Sequence, residues 1–396
     1  MRNKTEQTST LDSNHVGTSH PAFLLLNLSY FLVFSNVALF YLYPLALDRM
    51  GAGSREIGWV MGLFSLAAVV SRPLIGAVGA RRGDFWVMLW GTAGMLLASC
   101  CYPFLSGVGA PMLLVRVFHG LGFSGFIAGS FSAVARLFPD EGRARAYSMV
   151  GASLMGAVAL APLLGELLIK AWGFEAVFAA ACGVTALSWG VVRQAGRITG
   201  MPAVVNRGGR ARYRPFLSDP SFLFLLLSTL IFAHCQSTVF NFLALAAERR
   251  EASAGPFFFA AFALAIGILL GMGGVVDRRG KLRFMRFFYP PFALGIFLVP
   301  YLLGGPGGLG AAVLFGAGIG FLFPTHNALA GGYGAAGDKA TVMAVFTAVY
   351  DSGFISGPVV SGWIASRVGL DGLFHITGLL AAAGFVVSLI SSPGRG

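Results

Sequence analysis

Two ionisable side chains stand where an uncompensated charge is most expensive. Asp351 lies about ten residues inside an apolar run, in Tyr350-Asp351-Ser352, and Arg72 lies inside another, in Ser71-Arg72-Pro73. An ionisable group within a span marks a proton or substrate pathway by default. A buried carboxylate can take up and release a coupling proton, whereas a guanidinium attracts an anion or pairs with the carboxylate. A second arginine, Arg116, sits one turn before His119, so both can face one side of a helix. Which arginine meets Asp351 is open at this level, and so is a purely structural role for each charge. Asn36, His234, Gln236, Asn241, His326 and Asn327 are further polar groups in apolar runs. The histidines are candidates for proton or substrate contact, although a buried imidazole can equally be satisfied by a neighbour.

Composition says what must carry these groups. The chain has 396 residues, of which 56 % are hydrophobic and 11 % charged, against about 25 % charged in ordinary soluble domains. With a mean hydropathy of +0.76, this is the profile of an all-α integral membrane protein. A span needs about 20 apolar residues to cross the hydrocarbon. Twelve such segments can be read, near 21–47, 57–79, 85–105, 111–135, 146–169 and 174–192, then 219–246, 256–276, 285–303, 309–331, 341–364 and 371–391. Residues 1–20 form a polar tail without a signal-peptide core. The polar stretch 193–218, with six arginines, links a 21–192 bundle to a 219–396 bundle.

The formal charge of +12 is scattered between apolar runs, which excludes a nucleic-acid surface and points to topology. With both termini in the cytoplasm, 20 of the 28 Lys and Arg fall on the cytoplasmic side and six on the other. The expectation is a multi-pass protein of a bacterial inner membrane, monomeric, with lipids, a small-molecule substrate and protons as its partners. No metal-ligand spacing, catalytic motif or ATP-binding loop is present, so neither a cofactor nor an enzyme is expected. Cys100, Cys101, Cys182 and Cys235 form no paired motif, and disulfide or metal use is not expected of them.

The halves repeat each other at an offset of about 196 residues. Ala80-Arg81-Arg82-Gly83 aligns with Asp277-Arg278-Arg279-Gly280, Gly120 with Gly316, and Pro162 with Pro358. Six spans separate the copies, so the repeats are parallel about an axis along the membrane normal. Gly273-Gly274-Val275-Val276-Asp277-Arg278-Arg279-Gly280-Lys281 resembles the signature loop of the major facilitator superfamily. The copy from Gly76 to Gly83 is degraded, with Ala80 in place of the acid and Asp84 just downstream. Arg116 with Gly120 and Gly122 resembles the family's fourth-helix pattern. Gly353, Gly357 and Pro358 resemble its antiporter-type helix-bend pattern, with Pro162 in a weaker first copy.

The resemblance implies two six-helix bundles, alternating access and an efflux-type transporter. It implies a gating role for Gly76, Arg81, Arg82, Gly83, Gly273, Asp277, Arg278, Gly280 and Lys281, with Asp277 holding the start of the fifth helix. It implies a central cavity lined by helices one, four, seven and ten. The expected function is proton-coupled export of a small organic compound. The alternative is proton-linked uptake or exchange of an organic anion such as a carboxylate.

Overall fold

The computed structural model describes residues 18, 20–138, 140–199, 217–272, 278, 280–333 and 338–390, and among them every regular element is helical. Hydrocarbon offers the backbone no hydrogen-bond partner, so an apolar run must close its own N–H and C=O groups, which a helix does. The elements are α1 (Pro21–Arg49), α2 (Ser54–Arg82), α3 (Asp84–Phe104), α4 (Ala110–Leu137), α5 (Asp140–Trp172), α6 (Phe174–Thr199) and α7 (Pro220–Glu248). They continue with α8 (Gly255–Gly271), α9 (Lys281–Phe297) and α10 (Gly307–Ala330). A last run, Lys339–Ile390, is broken at Gly369, where φ is 73°, into α11 (339–368) and α12 (370–390). Each of the twelve expected segments overlaps one of these helices, the one near 256–276 running on into residues outside the described ones and the one near 285–303 running past the end of α9. Among the described residues, nine helical runs are long and apolar enough to cross a membrane.

The repeat is visible in how the helices begin. Pro21 and Pro220 both stand in the first turn of their helices, where the missing N–H costs nothing. His20 and Asp219, just before them, accept hydrogen bonds from the N–H groups of Ala22 (3.2 Å) and Ser221 (2.8 Å). Gly83 and Gly280, 197 residues apart, have φ of 97° and 95° and turn the chain between the second and third helix of each half. A side chain would strain that conformation.

In the first six helices α1 packs against α5 and α6, α3 against α4 and α6, and α2 against α4; in the last six, α7 packs against the α11–α12 run, α8 and α9 against α10, and α9 also against α11–α12. The two sets meet along α2 with α11 and along α5 with α8. The first seam is tight: a Cβ on Gly58 would stand 2.3 Å from the Pro358 carbonyl oxygen, and one on Gly362 would stand 2.5 Å from that of Ser54. The two backbones touch there without side chains between them.

At the same end of the molecule, opposite the turns at Gly83 and Gly280, charged groups cross from one set to the other. Arg49 pairs with Glu248 at 3.0 Å and Arg249 with Asp48 at 3.1 Å, an exchange between α1 and α7. On α5, Glu166 accepts the N–H of Ala254 (2.6 Å) and of Gly255 (3.0 Å) at the start of α8. Lys170 donates to the Ser253 hydroxyl at 3.0 Å. A carboxylate suits a helix N-terminus because the first N–H groups have no partner within the helix. This end is closed.

The ties differ in weight. The arginine pairs are partly exposed and each is worth about 0.2–1 kcal/mol. Glu166 satisfies two backbone donors, and leaving one of them unmet costs about 1–3 kcal/mol. Glu166→Gln is therefore expected to open this face more than Arg249→Ala, read as faster maleimide labelling of a single cysteine placed at Phe240. Equal labelling in the two variants would contradict that ranking.

Candidate functional site

Asp351 is paired with Arg72, and the pair joins α11 to α2 across the interface between the two sets of helices. Both side chains are largely withdrawn from the surface, at 14 % and 27 % exposure. The sequence leaves the choice of arginine open; the structure gives Arg72. Its Nε is buried and has no hydrogen-bond partner among the described residues. Each residue lies 17 or 18 positions from the closed end of its helix, so the ion pair closes the α2–α11 seam in its far half.

Beside Asp351 the last six helices carry aromatic rings with a few hydroxyls and amides, in contacts that stay among α7, α10 and α11. The Tyr350 hydroxyl donates to Gln236 Oε1 at 3.0 Å, and its ring packs on Phe323 and Phe354. His234 Nδ1 lies 3.0 Å from the Ser356 hydroxyl, joining α7 to α11 two residues before Gln236. Asn241 turns back on its own helix, donating to the Ser237 carbonyl at 2.7 Å. Toward the closed end Tyr41 of α1 lies against Phe240 of α7 and Phe258 of α8, with ring centroids 4.7 and 5.9 Å apart. On the α1–α5 side, Ser153 donates to Asn27 Oδ1 at 3.2 Å.

Other expected pathway residues lie inside one set of helices. Arg116 is 2 % exposed, and its Nε donates to the Val60 carbonyl at 3.1 Å. Its guanidinium sits over the rings of Phe40, Tyr43 and Phe64 at 5.1–5.6 Å, with one nitrogen 3.4 Å from the Tyr102 hydroxyl. Three aromatic faces give this cation a negative potential to rest against. His119 bridges Tyr102 at 3.2 Å and Asn36 Oδ1 at 2.9 Å. The Asn36 amide then donates to Ser99 and Thr185, each at 2.9 Å, and to the Ala181 carbonyl at 3.2 Å. One asparagine thus gathers α1, α3, α4 and α6. In the last six helices His326 meets Ser228 at 2.9 Å, Tyr289 at 3.3 Å and the Leu322 carbonyl at 2.7 Å. Asn327, the next residue, is half-buried.

The motif residues divide. Gly76, Arg81 and Arg82 are exposed, and Arg82 lies over the Trp86 ring at 5.6 Å. Asp84, beside the degraded loop, pairs with Arg136 at the end of α4, within its own set of helices. This pair borders a cavity of about 190 Å³ with Gly76, Gly79, Ala80 and Ser132. Arg278 is exposed and Lys281 begins α9, whereas Gly273 and Asp277 lie outside the described residues. Helix α5 runs through Pro162 and α11 through Pro358. Gly353 and Gly357 bring α11 onto α7: added Cβ atoms would stand 2.4 Å from Ala233 Cβ and 2.6 Å from Ser237 Cβ.

Sequence reasoning missed several partners. Ser99, Tyr102, Thr185, Ser228 and Tyr289 are hydroxyls scattered through apolar runs, and nothing in their spacing ties them to a distant His or Asn. Glu166, Asp48, Arg49, Glu248 and Arg249 read as membrane-end charges; only their near coincidence at an offset of 200 signals more.

At roughly 0.6 kcal/mol per interhelical hydrogen bond in a membrane, the contacts of Asn36 amount to about 2 kcal/mol. Asn36→Leu is expected to lower the thermal midpoint in detergent by several times the effect of Thr185→Val, which removes one of those partners. Thermal unfolding of the two variants measures the ratio.

Comparison with known proteins agrees with this architecture. A model of the Major Facilitator Superfamily matches residues 23–353. The nucleoside transporter NupG superposes with a TM-score of 0.73 over 93 % of this chain and 98 % of that one, at 14 % identity. The fatty acid resistance protein FarB of Neisseria gonorrhoeae is 29 % identical over 140 residues, which are 34 % of this chain and 26 % of FarB. The methylenomycin A resistance protein of Bacillus subtilis (strain 168) is 30 % identical over 125 residues, 31 % of this chain and 26 % of that protein. The matched stretch thus spans about a quarter of each resistance protein. With the family model covering most of its length, this multi-pass membrane protein is a transporter belonging to the Major Facilitator Superfamily.

Proposed function

We propose that the chain exports a small, partly apolar organic compound in exchange for protons, by alternating access across a bacterial inner membrane. Both termini face the cytoplasm, and the bundles 21–192 and 219–396, joined by the 193–218 linker, rock against each other in a monomer. The observation that carries this reading is the Arg72–Asp351 pair, which joins α2 to α11 in the half of the seam away from the closed end, the half that this orientation turns to the cytoplasm.

The physics of the pair supplies the coupling. While Asp351 is ionised, the two charges neutralise each other and hold α2 against α11. A proton on Asp351 removes the attraction, and the seam can part on the cytoplasmic side while the tight Gly58–Pro358 contact persists at the other. Release of that proton to the cytoplasm restores the pair. Only a change in the relative stability of two states can drive such a shift, and here protonation provides it. The aromatic lining of Tyr41, Phe240, Phe258, Phe323 and Phe354 suits a compound with apolar surface. The resistance proteins matched above supply the support for export. Asp277, by its place in the signature loop, would add a second cytoplasmic tie to the start of α5.

A second reading rests on the unpartnered Nε of Arg72. Once Asp351 is protonated, the freed guanidinium presents a fork that matches a carboxylate. Proton and anion would then bind together, giving proton-linked uptake or exchange of an organic anion.

The readings separate in proteoliposomes holding a trapped pH-sensitive dye. Wild type, Asp351→Asn and Arg72→Gln are challenged with lipophilic neutral or cationic compounds and, separately, with organic carboxylates. Export-type coupling is expected as proton movement driven by the lipophilic panel and reduced at least about tenfold in Asp351→Asn, a barrier change of roughly 1.4 kcal/mol or more. Movement driven by carboxylates alone, and lost in Arg72→Gln, replaces the first reading with the second. Proton movement unchanged in Asp351→Asn removes the pair from the coupling.

A further inference from the structure

Cys100 and Cys182, 82 positions apart in the chain, meet on the flank of the first six helices with their sulfur atoms 3.3 Å apart. Both thiols are free; Cys100 is exposed and Cys182 half-buried. Sulfur atoms this close are already at non-bonded contact, and a covalent bond at about 2.05 Å requires a further approach of about 1.2 Å. Small rotations about the Cα–Cβ bonds of two cysteines supply that.

The backbone behind the pair does not allow the thiols to drift apart. Ser99, next to Cys100, and Thr185, one turn beyond Cys182, both accept hydrogen bonds from the buried amide of Asn36. That tie fixes α3 against α6 at the level of the sulfurs. The surrounding surface is apolar: Leu97 is 59 % exposed on α3, and Ala179 and Ala186, one turn to either side of Cys182, are exposed on α6. The thiols therefore face the hydrocarbon side of the bilayer and are open to reagents dissolved in lipid. Cys100 lies one residue before the end of the regular part of α3 and Cys182 eight residues into α6, so the pair sits in the half of both helices toward the closed end.

We propose that Cys100 and Cys182 form a redox-sensitive thiol pair that closes to a disulfide, with a lipid-soluble quinone as the oxidant. Two S–H bonds break and one S–S bond forms. The quinone takes up the two electrons and the two protons and leaves as the quinol. The staple joins α3 to α6 within the first six helices and crosses neither the α2–α11 seam nor the α5–α8 contact. Oxidation accordingly stiffens one bundle and leaves the relative motion of the two free. This holds whatever the substrate and whichever coupling applies.

The test uses the full-length protein in proteoliposomes exposed to duroquinone, whose fully substituted ring offers no open position for thiol addition. Non-reducing digestion with mass spectrometry is expected to find the Cys100 and Cys182 peptides joined, with the protein lighter by the mass of two hydrogens. A reductant should reverse both changes, and Cys100→Ser and Cys182→Ser should each abolish them. The oxidised protein is expected to melt at a higher temperature than the reduced form. Full alkylation of both cysteines after oxidant treatment would overturn the proposal. So would a cross-link to Cys101, or one between two chains, in place of the Cys100–Cys182 bridge. Because Cys101 remains in every variant, a general loss of folding is distinguished by its alkylation behaviour in the untreated protein.

Discussion

Hydrocarbon gives a polar group nothing to bind, and the architecture follows from that constraint. A buried donor or charge that finds no partner in the protein is costly, because lipid offers none. Backbone groups meet the demand by coiling into helices. Side chains meet it by reaching to another helix, and each such reach fixes how two helices lie. Asn36 alone orders four helices around itself. Arg72 and Asp351 meet the same demand across the interface, and so become the one described charge pair withdrawn from the surface that joins the two sets of helices.

The constraint also separates polar groups that hold from polar groups that switch. Arg116 is surrounded by three rings, a carbonyl and a tyrosine hydroxyl. Its neighbours all belong to the first six helices, so nothing ties it to the interface between the two sets. Arg72 and Asp351 belong to different sets of helices, and a carboxylate, unlike a guanidinium, is a group that a proton can neutralise. The same chemical pair within a single bundle, Asp84 with Arg136, ties α3 to α4 and leaves the interface untouched. Placement relative to the interface, more than residue type, decides which charges can do work.

The helices and the repeat were legible from apolar run length and from the paired glycines and prolines, and each of the twelve segments overlaps a described helix. Asp351 was legible as costly, because a carboxylate that deep needs a reason. Its partner was not. The apolar runs carry few polar residues, so no polar stripe tells which face of a helix looks inward, and a lone Asn or His gives no direction. For that reason Asn36, Arg116 and His119 read as cavity candidates, whereas their contacts lie among α1, α2, α3, α4 and α6. Glu166 was legible only as a membrane-end charge: its role depends on where the start of α8 lies, 88 residues later.

The crossed charges at the closed end bear on how such a chain can arise. Asp48 and Arg49 of one helix meet Glu248 and Arg249 of its repeat, acid to base in both directions. A contact of this form is self-complementary, as in the isologous face of a two-fold dimer. One acid–arginine dipeptide, present twice and related by the internal axis, satisfies itself. A six-helix ancestor with that dipeptide at the end of its first helix would close against a second copy of itself. Duplication and fusion would then inherit that closure without inventing it.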